Sequence, residues 1–279
     1  MLWWICPILL FIVSFLIGIV AVLAGVGGGV LFVPIVSGFF PFHLDFVRCA
    51  GLLIALSGSL AAGPVLLKRG LADLRLAIPC ALIASISSII GAFLGLSLPE
   101  NFVQIALGVA IIFIVIVMVS AKKSEFPEVK EPDVLSSTLK ITGVYHEQTE
   151  ARDVPWQIHR TPLGLFMFII VGIMAGMFGL GAGWANVPVL NLIMGVPLKV
   201  SVATSNFLLS ITDTSAAWIY INKGALFPMV VIPSIIGMML GSFIGAKLLS
   251  KTKPRAVRYL VIGLLIFTGL RAVAKGFGY

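Results

Sequence analysis

The chain has 279 residues, 59% of them hydrophobic and 11% charged, and a formal net charge of +8. Soluble domains carry roughly a quarter charged residues, so this composition excludes a soluble globular protein and predicts an all-α polytopic membrane protein in a lipid bilayer. The positive balance is no sign of a nucleic-acid partner, because Lys and Arg in such a chain mark cytoplasmic loops.

The N-terminus has no basic leader and no small-x-small cleavage pattern, so the first apolar run, 3–24, is read as a retained membrane segment. It ends in "AGVGGGVLFVP", residues 24–34, and a short apolar run, 30–40, follows. Three ordinary spans come next, at 46–67, 74–97 and 101–120. A polar linker, 121–161, holds seven of the eleven acidic residues. Its first part, "KKSEFPEVKEPD", is charged and Pro-containing; "STLKITGVYHE" and "VPWQIHR" alternate polar with β-branched or aromatic residues and predict a small cytoplasmic β-hairpin. Alternatively, Trp156 and Ile158 only anchor the start of the next helix at the interface. Apolar runs 163–178 and 184–195 then flank "FGLGAGWANVP", residues 178–188, and spans 200–221, 225–249 and 256–274 complete the chain.

The two sets of runs match at a constant offset of 154 residues: Gly18 with Gly172, Gly25 with Gly179, Gly27 with Gly181, Gly29 with Gly183, Pro34 with Pro188, Gly70 with Gly224, Pro79 with Pro233 and Gly91 with Gly245. Shared hydrophobicity would not align so many Gly and Pro in register, so the chain is an internal duplication, 1–120 and 162–279, joined by the linker. The loops 68–75 and 247–258 are both basic, yet they occupy non-equivalent places in the repeat. Equivalent loops therefore carry opposite bias, which predicts inverted-topology repeats. Residues 30–40 make only about 16 Å of helix, too short to cross a ~30 Å core. Each glycine break therefore predicts a Gly-broken, re-entrant element. The expected sidedness is linker cytoplasmic and both termini outside.

Irregular backbone survives at membrane depth only where it is buried in protein or lines a wet cavity. A helix starting just after such a break directs unpaired N–H groups and its positive end into the gap, which favours an anion. Two breaks in inverted repeats point to a secondary-transporter site built on Gly25, Gly27, Gly28, Gly29, Gly179, Gly181, Gly183 and Asn186. Gly91, Gly95, Gly237, Gly241 and Gly245 read instead as close helix packing. The span "SVATSNFLLSITDTSAAW" carries Ser205, Asn206 and Thr212, expected to add hydrogen bonds to the anion, and Asn206, Ser210 and Asp213 are spaced i, i+4, i+7 on one face. Asp213 is the one acid placed well inside a span and is the candidate coupling or gating group, by protonation, cation coordination or pairing with a base. Arg48, beside Asp45 and His43, either snorkels to the outer interface or guards the anion's way in. Cys6, Cys49 and Cys80 sit singly in apolar runs, and the three His residues show no ligand spacing, so no metal and no cofactor is expected.

The two Gly-rich breaks with their following Pro, the spans after them and the middle loop of about 40 residues resemble the TauE/SafE family of sulfite exporters. "ATSNF", Ala203–Phe207, is similar to a Thr-Ser motif of that family, and "LKITGVYHE" to a loop of one branch. The first half departs from the pattern with "AGLL" at Ala50–Leu53, so its side chains are not carried over as anion ligands. The resemblance implies half-repeats of about four membrane segments and a small sulfur-containing anion, sulfite or an organosulfonate, as substrate. The expected activity is alternating-access secondary transport with a coupling proton; the alternative is an anion channel of the same fold. No nucleophile or metal constellation within the spans supports an enzyme, and no phosphate-binding loop supports an ATPase.

Overall fold

The computed structural model describes residues 5–24, 27–68, 72–120, 127, 129, 131–147, 152–248 and 254–277. The architecture is helical, with α1 (Ile5–Ala24), α2 (Gly28–Phe39), α3 (Leu44–Lys68), α4 (Leu74–Ser97) and α5 (Glu100–Ser120) in the first half. The linker contains α6 (Val134–Thr138), β1 (Thr142–Glu147) and β2 (Arg152–Gln157). The second half contains α7 (Thr161–Phe178), α8 (Gly183–Pro188), a π-helical turn (Val189–Ile193), α9 (Leu198–Asn222), α10 (Pro228–Leu248) and α11 (Pro254–Gly276). Among the described residues, five helices are long and apolar enough to cross a membrane: α3, α4, α5, α7 and α10.

The element order repeats between the halves, and the helices pack across them. α1 lies on α10, α7 on α4, α3 on α9, and α5 on α11. Glycines make these approaches close. Gly237 and Gly241 of α10 abut the backbone of Phe11 and Phe15 in α1, so the two helices run parallel. Gly91 and Gly95 of α4 meet Ile173 and Met177 of α7 in the same parallel sense. The packing expected of these four glycines is what the structure holds. By contrast, α3 and α9 run antiparallel, since Arg48 lies over Tyr220 at one end while Ala55 and Asp213 meet further along. The pair α5 and α11 is antiparallel too: Gly108 abuts Val273, and Gly276 abuts Asn101. Any side chain at Gly241 would drive into the carbonyl of Phe15. Gly241→Val should therefore destabilise the bundle by about 1–3 kcal/mol, measured as a lower thermal midpoint in detergent.

The short elements behave as their length demands. α2 is twelve residues, about 18 Å, and its C-terminal end is held by Lys275, whose Nζ donates to the Ser37 carbonyl at 2.8 Å. Arg271 lies over the Phe39 ring, 4.2 Å from its centroid. The duplicated prolines have different outcomes. Pro34 sits inside a continuous α2, whereas Pro188 ends α8 after six residues and the backbone continues as a π turn, closed by Met194 N–H donating to the Val189 carbonyl.

The linker hairpin forms as its alternation predicts. β1 and β2 pair antiparallel from Thr142 opposite Gln157 to Glu147 opposite Arg152, and Trp156 covers Gly143 directly across the ladder. Ile141 and Ile158 are buried beneath it. The linker docks on the second half: His159 N–H donates to the Met194 carbonyl, and Thr161 Oγ1 donates to Asp133 Oδ1 at 2.7 Å. Burial pushes the Asp133 carboxyl up, but hydrogen bonds from Thr161 and Ser136 outweigh it and hold the carboxyl below its usual range.

Candidate functional site

The two glycine breaks meet. Gly27, with φ +86°, precedes α2, and a methyl group placed on it would lie 3.9 Å from the Cα of Gly183, the first residue of α8. Backbone packs on backbone around them. A methyl on Gly29 would lie 2.5 Å from the Leu180 carbonyl and 3.0 Å from that of Gly51. Gly28 is covered by the Met238 thioether and by Ile54. Gly179 and Gly181 take left-handed conformations, with φ +69° and +70°. Gly25 lies outside the described residues.

The breaks are unequal in kind. α2 is three turns long, long enough for its first N–H groups and its dipole to act at the break. α8, at six residues, is too short for a comparable dipole, and the second half supplies side chains instead. Asp213 of α9 is fully buried with no partner for either carboxylate oxygen. It stands over Gly181, where an added methyl would come 3.0 Å from Asp213 Oδ2 and 3.0 Å from the Ala55 Cβ. The Ala182 backbone amide faces this carboxyl, short of a formed hydrogen bond. Asn186 is 1% exposed, and neither its Oδ1 nor its Nδ2 has a partner. Thr212 Oγ1 is likewise buried without a partner. Buried polar atoms are nearly always hydrogen-bonded, so several orphans on the elements that form or flank one break make it the candidate binding place, although Ser14, Ser85, Gln104 and Ser234 are unpartnered elsewhere.

The other expected residues fall elsewhere. Ser205 is buried in α9. Asn206 lies on a half-buried stretch, and its Nδ2 donates to the Val202 carbonyl of its own helix at 2.9 Å. Ser210 donates to the Phe207 carbonyl in the same way. The stripe Asn206, Ser210, Asp213 is therefore not one uniform polar face: the first two bond back along the helix, as Ser and Asn in helices do. Arg48 does not snorkel. It is 3% exposed, and Nη1 donates to the Met177 carbonyl at 3.0 Å while Nη2 pairs with Asp45. Nor does it line the gap as a free cation; it caps the end of α7 beside Gly179.

The sequence reading passed over two contributors. Trp184 is buried with its indole N–H unpartnered. Ser88 of α4 donates to the Thr212 carbonyl at 3.2 Å and so ties α4 to the helix carrying Asp213. The duplication held a signal for the first: Trp184 and Asn186 stand in register with Val30 and Phe32, so polar groups replace apolar ones only in the second half. No group of three or more potential metal ligands occurs among the described residues.

Comparison with known proteins gives two matches in sequence. The family model described as "Sulfite exporter TauE/SafE" matches residues 10–272. The chain is 21% identical over 276 residues to "Probable membrane transporter protein YunE" of Bacillus subtilis (strain 168), covering 96% of this chain and 98% of that protein. No solved structure gives a significant match.

Proposed function

Because the chain belongs to the sulfite exporter TauE/SafE family, we propose that it is a secondary carrier moving a small sulfur-containing anion, sulfite or an organosulfonate, across the cytoplasmic membrane. One observation carries the reading: the two breaks touch, unpartnered donors of Trp184, Asn186 and Thr212 sit on α8 and α9, and Gly181 of the second break faces the unpartnered Asp213 carboxyl. An indole N–H, an amide NH2, a hydroxyl and the first amides of α2 suit the oxygens of a sulfite or sulfonate group. Asp213 takes a proton as the anion binds, which removes the charge that would repel it.

The antiparallel pairing of the equivalent helices α3 and α9, and of α5 and α11, supports inverted repeats rocking about this point. The contact of Lys275 near the C-terminus with the end of α2 supports placing both termini on one face, outside. The linker then lies in the cytoplasm with the basic loops.

The test is uptake into proteoliposomes of sulfite, sulfate, thiosulfate, taurine, sulfoacetate and acetate, with and without a pH gradient. Saturable flux of sulfite or a sulfonate that responds to the gradient is the expected result. A current proportional to voltage without saturation would assign the chain as a channel. Absence of flux for every sulfur anion would overturn the substrate.

A further inference from the structure

A polar cluster at one end of the bundle serves none of the roles above. It begins at the surface with His43, in the turn between α2 and α3. His43 Nε2 lies 3.3 Å from Glu100 of α5, and Nδ1 lies 3.5 Å from Asp45 of α3. Asp45 pairs in turn with Arg48. Side-chain exposure falls along this path from 52% at His43 to 25% at Asp45 and 3% at Arg48, so the guanidinium is sealed from solvent. Its Nη1 holds the Met177 carbonyl, and the Tyr220 hydroxyl holds the Gly176 carbonyl at 2.9 Å. Gly95 of α4 makes the room: a methyl there would come 2.7 Å from Arg48 Nη1 and 3.0 Å from the Tyr220 hydroxyl. Four helices, α3, α4, α7 and α9, thus converge on the last carbonyls of α7. Two residues later the backbone enters the second break at Gly179, where an added methyl would lie 2.5 Å from the Arg48 Cα.

In the register of the repeat the other half has no counterpart of these three side chains. In register, Arg48 is replaced by Val202, Met177 by Leu23 and Tyr220 by Leu66. Neither Val nor Leu carries a side-chain donor for the last carbonyls of α1, and Val202 is 37% exposed. Inverted repeats otherwise give a carrier equivalent barriers at its two faces. We infer that Arg48, with Asp45 and Tyr220, is the latch of the outer barrier, and that opening toward the outside requires the guanidinium to leave the end of α7. Arg48 is then a positioning residue that acts through α7 and the break, not an anion ligand. The inference rests on the carrier reading.

Cys49, adjacent to Arg48 and fully buried beside Tyr220, is a native reporter beneath the latch, and Cys80 in α4 is a buried control away from it. In proteoliposomes of known orientation, a membrane-impermeant maleimide is added to one face at a time. Arg48→Met is expected to raise the labelling of Cys49 from the outer face at least tenfold, with Cys80 unchanged. Arg48→Lys, which keeps the charge but not the fork, should give an intermediate rate. Tyr220→Phe keeps the packing and should raise labelling about threefold, which serves if Arg48→Met does not insert. Equal rises at Cys49 and Cys80, or from both faces, would mean general loosening and overturn the latch, as would no rise in any of the variants. Sulfur-anion flux is measured on the parent protein in the same vesicles. Loss of that flux with one-sided labelling intact would count against the carrier reading and not against the latch geometry.

Discussion

Asp213→Asn should abolish the response of anion flux to a pH gradient while leaving the protein folded. The carboxyl is fully buried, and neither oxygen has a partner. An isolated buried charge is among the most expensive features a fold can carry. A bound anion next to an ionised Asp213 would add repulsion of about 4 kcal/mol at 4 Å for an effective dielectric constant of about 20. On the proposed reading, proton and anion binding are linked, and each strengthens the other by the same factor. Asn keeps the shape and removes the ionisable group. Flux in the variant should agree within about twofold with and without the gradient, and exchange of labelled for unlabelled anion should persist. Its thermal midpoint in detergent should equal or exceed that of the parent, because a buried ionisable group without a partner has been replaced by a neutral one of the same shape. A gradient response of parental size in this variant would remove Asp213 from the mechanism.

The repeated order of elements, the short helix after the first break and the linker hairpin were legible because each rests on local chemistry. Gly and Pro in register at a fixed offset, a run too short to cross a bilayer, and alternation of β-branched residues all report on backbone. The role of Arg48 was not legible. Whether a long cation reaches outward or inward depends on Gly95, 47 positions along the chain, leaving space against α7. The stripe Asn206, Ser210, Asp213 misled for a related reason: helical spacing fixes which face a residue shares, but not whether its polar atoms bond back to their own helix. The different outcomes at Pro34 and Pro188 show the same limit, since one residue type in equivalent register gives a continuous helix in one half and a π turn in the other. The asymmetry of the site, by contrast, stands in the sequence itself. Asp213 stands where the first half has Ser59, and Thr212 where it has Gly58.

Gly181→Ala should cut anion flux at least tenfold, while Gly224→Ala should leave it within about twofold. Both glycines are left-handed, with φ +70° and +77°, so alanine imposes nearly the same backbone penalty at each, roughly 1–2 kcal/mol. Their surroundings differ. Around Gly224 an added methyl meets nothing within 4 Å, whereas at Gly181 it comes within 3.0 Å of both Asp213 Oδ2 and the Ala55 Cβ. The pair therefore separates strain from obstruction. Gly181→Ala is expected to lose at least as much thermal midpoint as Gly224→Ala, with loss of transport confined to the one whose methyl enters the space between α3 and α9. A tenfold fall corresponds to about 1.4 kcal/mol, which a single misplaced methyl in a close-packed site readily supplies. Equal falls in both variants would show that backbone strain alone limits transport. No fall at Gly181 would move the substrate away from the meeting point of the breaks, because a site that accepts a methyl against its buried carboxyl is not in contact with the anion there.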